Sequence, residues 1–314
     1  MNDAALKGAR NYRAFIDAAR DIVNASDFAI DEQALSQLQP LVDSAKPVSW
    51  TWYLPAGELS LEEVMFELSL NAALNGGYFA KAADGSIRQW EVGGSGSQAL
   101  LQWLQERREA HEIPGIHLKT PASARLVLAD RLAGQPFADE RLETLAMFAY
   151  DGTRARLADI LNDAREDGKL SFALRHADAL ADLVPSGFGG DPFRKKACLA
   201  LQMVAGHAAA NGFELGSELP IPSDYQIPRI LAWQGTILLS DRFAQALQSE
   251  AFLDVTSADV TAFRAAAVVA CSDLARMAGV EDGVVDGALF TTFRKNPDFK
   301  AGALPPMRTD SFWF

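Results

Sequence analysis

The chain has 314 residues, 49% of them hydrophobic, a formal net charge of −12 and a pI near 4.8. That length allows one large domain or two smaller ones. The acidic balance argues against a face for duplex DNA or long RNA, which takes a basic surface; a small phosphorylated ligand asks only for one or two local cations. Cys198 and Cys271 stand in apolar helical runs without metal or redox spacing, so they are expected to be reduced core thiols in a reducing compartment.

"MNDAALKGARNYRAFIDAARDIV" is amphipathic and charged, without the apolar centre of a signal peptide, and "FRAAAVVACSDLARMAGV" is too short and interrupted for a bilayer. A soluble cytoplasmic protein is expected. Residues 4–24 read as a helix with Ala14, Phe15, Ala18, Ile22 and Val23 on one face, and a second helix runs from near Asp31 to before Pro40. Residues 60–75 open with Ser60 and Glu63 at capping-box spacing and end at Gly76-Gly77. "GGYFAKAADGSIRQWEVGG" differs: aromatic and β-branched residues flank Asp84-Gly85, the signature of a hairpin turn. Helices follow at 97–110, 122–133, 138–149, 153–166, 170–183, 192–211, 226–233, 239–248, 257–278 and 284–290. With no βαβ alternation, the fold class is all-α with one small β-hairpin near residues 77–92. One compact domain over 1–314 is expected, with "PSGFGGDP" at 185–192 separating two lobes, about 1–184 and 185–314. The aromatic tail "ALPPMRTDSFWF" is expected to fold back onto the body.

Standard catalytic motifs are absent, and His111, His117, His176 and His207 have no metal spacing. "GGSGS" at 93–97 precedes a helix start and reads either as a phosphate cradle or as a hairpin exit; Ser95 lacks the context of a nucleophile elbow. In "GGDPFRKKACLALQMVAG", Asp191 and Pro192 fit a helix N-terminus, yet Lys195 and Lys196 oppose the dipole there. They are either a solvated pair or cations held near an anion. In "LPIPSDYQIPRIL", Pro220 and Pro222 stiffen a loop carrying Asp224, which is either a helix cap or a carboxylate held for chemistry. Tyr78, Phe79 and Trp90 are single aromatics beside the hairpin and suit a core.

Five segments, in order, resemble the queuosine salvage proteins, which are queuosine 5′-phosphate N-glycosylases. They are "LNGGYF" (74–79), "WEVGG" (90–94), "HEIPGIHLKTP" (111–121), "FRKKAC" (193–198) and "SDYQIPR" (223–229), and the terminal "PPMRTDSFWF" is similar too. The chain departs from that pattern at Ala72, at Gly76 and Gly77 where relatives are bulkier, and at Cys198 and Gln226, which replace Gln and Arg. The resemblance implies a helical fold of DNA-glycosylase type, no cofactor or metal, and a role in salvage of a tRNA-modification base. The implied reaction is hydrolysis of the N-glycosidic bond of queuosine 5′-monophosphate or a related nucleotide. It also implies Asp224 and Lys195 as catalytic residues, with Asn75, Tyr78, Phe79, Trp90, Asp191, Lys196, Tyr225 and Arg229 as the substrate-binding set and Lys196 or Arg229 on the phosphate. The partner is then a small nucleotide, with no nucleic-acid polymer and no membrane. The alternative is a helical nucleotide- or small-ligand-binding protein of the same fold that has lost or changed hydrolysis.

Overall fold

Side-chain caps start several helices in the computed structural model, which describes residues 3–54, 58–90, 96–109, 129 and 132–313. Ser60 and Glu63 form the expected reciprocal capping box: the Glu63 amide donates to Ser60 Oγ at 3.2 Å and the Ser60 amide to Glu63 Oε2 at 2.8 Å. The helix that follows, Leu61–Leu74, is buried from Val64 onward on every side, Glu67, Ser69 and Asn71 included. Gln226–Trp233 has the expected bounds, and Ser240 and Ser257 cap Asp241–Gln248 and Ala258–Ala278.

The expected single helix over 4–24 is two, Asp3–Gly8 and Tyr12–Asn24. Asn11 breaks it by capping the second, its side chain accepting from the Ala14 amide at 2.9 Å. The helix expected from 192 begins at Lys195, because Arg194 takes a left-handed conformation with φ 53°. The helix expected over 122–133 falls almost wholly outside the described residues, as do Gly93 to Ser95 and the segment 111–121.

The molecule is mostly helical with a few short strands. The expected hairpin pairs Phe79–Lys81 with Ile87–Gln89, antiparallel, with Phe79 opposite Gln89. Asp84 closes the turn through the Ser86 amide at 2.9 Å, and Gly85 supplies φ +83°. Other two-residue strands, too short to leave a pattern, pair distant segments: Ala29–Ile30 with Ile237–Leu238, Lys169–Leu170 with Arg165–Glu166 and Glu214–Leu215, and Phe252–Leu253 with Arg308–Thr309.

Two hydrophobic cores organise the packing. One gathers around Leu61–Leu74 and Lys195–Ala210, and the other around Tyr12–Asn24 and Ala258–Ala278. They do not divide the chain at residue 185, because Leu6 to Val42 join the C-terminal core and Lys195–Ala210 joins the other. Phe312 of the tail is buried in the first core and Met307 in the second. Cys198 and Cys271 are unbonded and buried. Among the described residues no helix is long and apolar enough to cross a membrane, and none form a metal-binding cluster.

Candidate active site

A cavity of about 510 Å³ opens at the seam between the cores. Its walls come from the end of Leu61–Leu74, the first turns of Lys195–Ala210, the proline loop and Asp282–Phe293. Lys195 Nζ lies 3.3 Å from Asp224 Oδ2 on that wall, with side chains 4% and 20% exposed. The other Asp224 oxygen, Oδ1, accepts from the Gln226 amide at 2.6 Å. Capping and facing a cation are therefore compatible, one oxygen serving each; the backbone N-cap itself is Tyr225.

The loop is buried and held by two side chains. Leu219, Pro220, Ile221, Pro222 and Ser223 are buried, and Gln202 Nε2 donates to the Pro220 carbonyl at 2.9 Å. Arg264, buried in Ala258–Ala278, donates through Nε to the Ser223 carbonyl at 2.8 Å, while Ser223 Oγ donates back to the Arg264 carbonyl at 3.0 Å. The same guanidinium grips Asp191 with two bonds of 2.8 Å. Asp191 in turn accepts the Lys195 amide at 2.9 Å and the Phe193 amide at 3.2 Å. Burial raises the Asp191 carboxyl, but the Arg264 charge and these donors outweigh it, and its pKa lies below the usual value. A single guanidinium thus ties the segment carrying Asp224 to the start of the helix carrying Lys195.

Asn75 and Tyr78 reach the cavity from the end of Leu61–Leu74, the Tyr78 hydroxyl donating to Asn75 Oδ1 at 2.6 Å. The Asn75 carbonyl accepts from Lys195 Nζ at 3.4 Å. Arg141, fully buried, fastens this turn from behind by donating to the carbonyls of Leu74, Gly76 and Gly77 at 2.7, 2.6 and 3.0 Å, and to Pro136. Burial lowers its pKa to about 10. Tyr225 also lines the cavity, its phenol pushed up by burial and the Asp224 charge.

The other expected binding residues lie elsewhere. Trp90 is core, its ring 4.6 Å from the Arg141 guanidinium and edge-on to Trp103. Phe79 faces the tail, with Arg308 5.4 Å from its ring. Asp191 is the brace just described. Lys196 donates to the Ala73 carbonyl at 2.8 Å and sits 3.5 Å over Phe312; burial first, then the Lys195 and Arg141 charges, push its pKa well down. Arg229 donates to the Leu304 carbonyl and stacks on Phe299. Neither Lys196 nor Arg229 reaches the cavity, so neither is placed to hold a phosphate there.

Residues that the sequence reading passed over complete the walls. Trp50 and Tyr53 come from "SWTWY", an aromatic cluster that was the available signal, and Trp50 adopts φ 51°. Arg294, Lys295 and Lys300 line the cavity without an ion-pair partner among the described residues. Asp286 lies inside "EDGVVDGALF", where a carboxylate between apolar residues, Val284 and Val285 before it and Ala288 and Leu289 after, marks a buried acid. No family model matches the chain, and no curated protein matches it.

Proposed function

We propose that this chain is an N-glycosidase that hydrolyses a nucleoside 5′-monophosphate to the free base and ribose 5-phosphate, with queuosine 5′-monophosphate or a close 7-deazaguanosine relative as substrate. The observation that carries the reading is Asp224 paired with Lys195 at 3.3 Å on the wall of an aromatic-lined cavity of about 510 Å³. That volume falls in the range of small-molecule sites, and the choice of base rests on the family resemblance.

Cleavage of the C1′–N bond leaves cationic character at C1′ and C1′–O4′, which a fixed carboxylate beside the sugar stabilises. Asp224 is such a group, since its loop is buried, proline-stiffened and bolted to Arg264. It also accepts the proton of the water that adds to C1′. Lys195 orients that carboxylate and, with Asn75, closes the wall behind it. Trp50, Tyr53 and Tyr78 present ring faces and edges to a planar base. Arg294, Lys295 and Lys300 take the phosphate in place of Lys196 and Arg229; three cations without an ion-pair partner among the described residues, beside a cavity in a chain of charge −12, fit a small dianion.

The test is base release from a panel of nucleoside 5′-monophosphates, read by mass spectrometry. Wild type is expected to free the base, and Asp224→Asn to lose at least about 10²-fold in kcat with ligand-induced thermal shift retained. Unchanged turnover in that variant removes Asp224 from the mechanism. A thermal shift with no base released by wild type favours the nucleotide-binding alternative.

A further inference from the structure

Asp286 shares the cavity wall with Asp224 and Lys195, and nothing in the reaction so far uses it. It projects from the second turn of Asp282–Phe293 and is 6% exposed. Asp224 is surrounded by donors, the Lys195 ammonium and the Gln226 amide. Asp286 has no hydrogen-bond or ion-pair partner among the described residues. Two carboxyl groups on one cavity, one held by donors and the other left without any, is the arrangement that separates a base from an acid.

We propose that Asp286 is the general acid of this site, delivering its proton to the departing base. The inference rests on the glycosidase reading and extends it. A purine-like base leaves poorly as an anion, so a proton reaching a ring nitrogen or carbonyl oxygen as the bond stretches lowers the barrier. The C1′–N bond breaks with its electron pair going to the base, which takes the Asp286 proton. Water adds to C1′ and gives its proton to Asp224. The products are neutral base and ribose 5-phosphate, and one proton returns from Asp224 to Asp286 through solvent.

The charges around Asp286 favour the protonated form. Burial is the largest cause, the Asp224 carboxylate on the proline loop adds to it, Lys195 on the facing helix opposes it, and Asp282 one turn back raises it further; the result is a carboxyl pushed up to about 8. At neutral pH the acid therefore carries its proton.

The experiment compares two leaving groups. One substrate is the nucleoside 5′-monophosphate, whose base departs with a proton; the other is 4-nitrophenyl β-ribofuranoside 5′-phosphate, whose leaving group needs none. Asp286→Asn is expected to lose about 10²–10³-fold in kcat on the nucleotide while staying close to wild type on the aryl substrate. The alkaline limb of the wild-type nucleotide profile, near pH 8, is expected to disappear in the variant. Activity on the aryl substrate also certifies the fold; if Asn at 286 does not fold, Asp286→Leu, of similar volume, takes its place. Equal loss on both substrates means that Asp286 only positions the sugar and overturns the proposal, as does no loss on either. A wild-type chain inert on every nucleotide overturns the glycosidase reading and this inference with it, while full nucleotide turnover by Asp286→Asn, in a chain whose wild type is active, overturns this inference alone.

Discussion

Replacing Arg264 by Met removes the brace between the two halves of the site. The guanidinium makes two 2.8 Å bonds to Asp191 and one to the Ser223 carbonyl, and Asp191 is itself 5% exposed. Met fills much of the volume but leaves a buried carboxylate with only the Phe193 and Lys195 amides, and breaking such a pair costs about 3–5 kcal/mol. With an unfolding entropy of about 2 cal/mol/K per residue over 314 residues, about 4 kcal/mol lowers the melting temperature by about 6 °C. The sign of the pH dependence follows from Asp191. In wild type its folded pKa is depressed, so the pair contributes stability above the unfolded value near 4, lost as pH falls through the folded pKa. In the variant only burial and two amides remain, the folded pKa rises, and the penalty is greatest when Asp191 is charged. Urea titrations of both proteins should therefore differ by about 4 kcal/mol at pH 7.5 and by visibly less at pH 5. Base release should fall by about 10²-fold, since a displacement of about 1 Å between catalytic groups costs that much. A stability change under about 1 kcal/mol at pH 7.5, or full turnover in a destabilised variant, would refute the brace.

Two further substitutions probe the surroundings of the site. Asp282 is 5% exposed; burial raises its pKa to about 7, the Tyr12 hydroxyl at 2.8 Å lowering it only in part, and its Oδ2 has no hydrogen-bond partner among the described residues. A raised folded pKa costs stability as pH climbs from the unfolded value through about 7, so Asp282→Asn should stabilise the protein at pH 8 and leave it nearly unchanged at pH 4; equal melting shifts at both would exclude this account. Arg141→Met strands the carbonyls of Leu74, Gly76 and Gly77 in the interior, at about 1–3 kcal/mol for each unsatisfied group. It should lower both the melting temperature and nucleotide affinity, because the turn it fastens carries Asn75 and Tyr78; affinity unchanged in a folded variant would show that the turn holds without it.

What the residues specified locally was legible in order along the chain. The Ser60–Glu63 box, the Asp84-Gly85 turn and the bounds of Gln226–Trp233 depend on groups within about four positions of each other, and such signals survive into the fold. Proline framing of Asp224 belongs to the same kind, and it correctly marked a carboxylate held in place. Even there the local pattern missed Asn11, whose capping bond splits one expected helix into two.

The composition of the cavity wall was decided by tertiary structure. Arg264 and Asp191 meet across 73 positions, and no periodicity announces a bond of that range. Asp286 and the cations Arg294, Lys295 and Lys300 enter the site because one helix and the residues after it happen to border the seam between two cores. Lys196 sits beside Lys195 in sequence yet faces the first core, since one step along a helix turns a side chain by about 100°. The sequence alone therefore named the residue types and the stiff loop. Which of two adjacent lysines meets the carboxylate, and which acid stands without a donor, depended on how the helices pack.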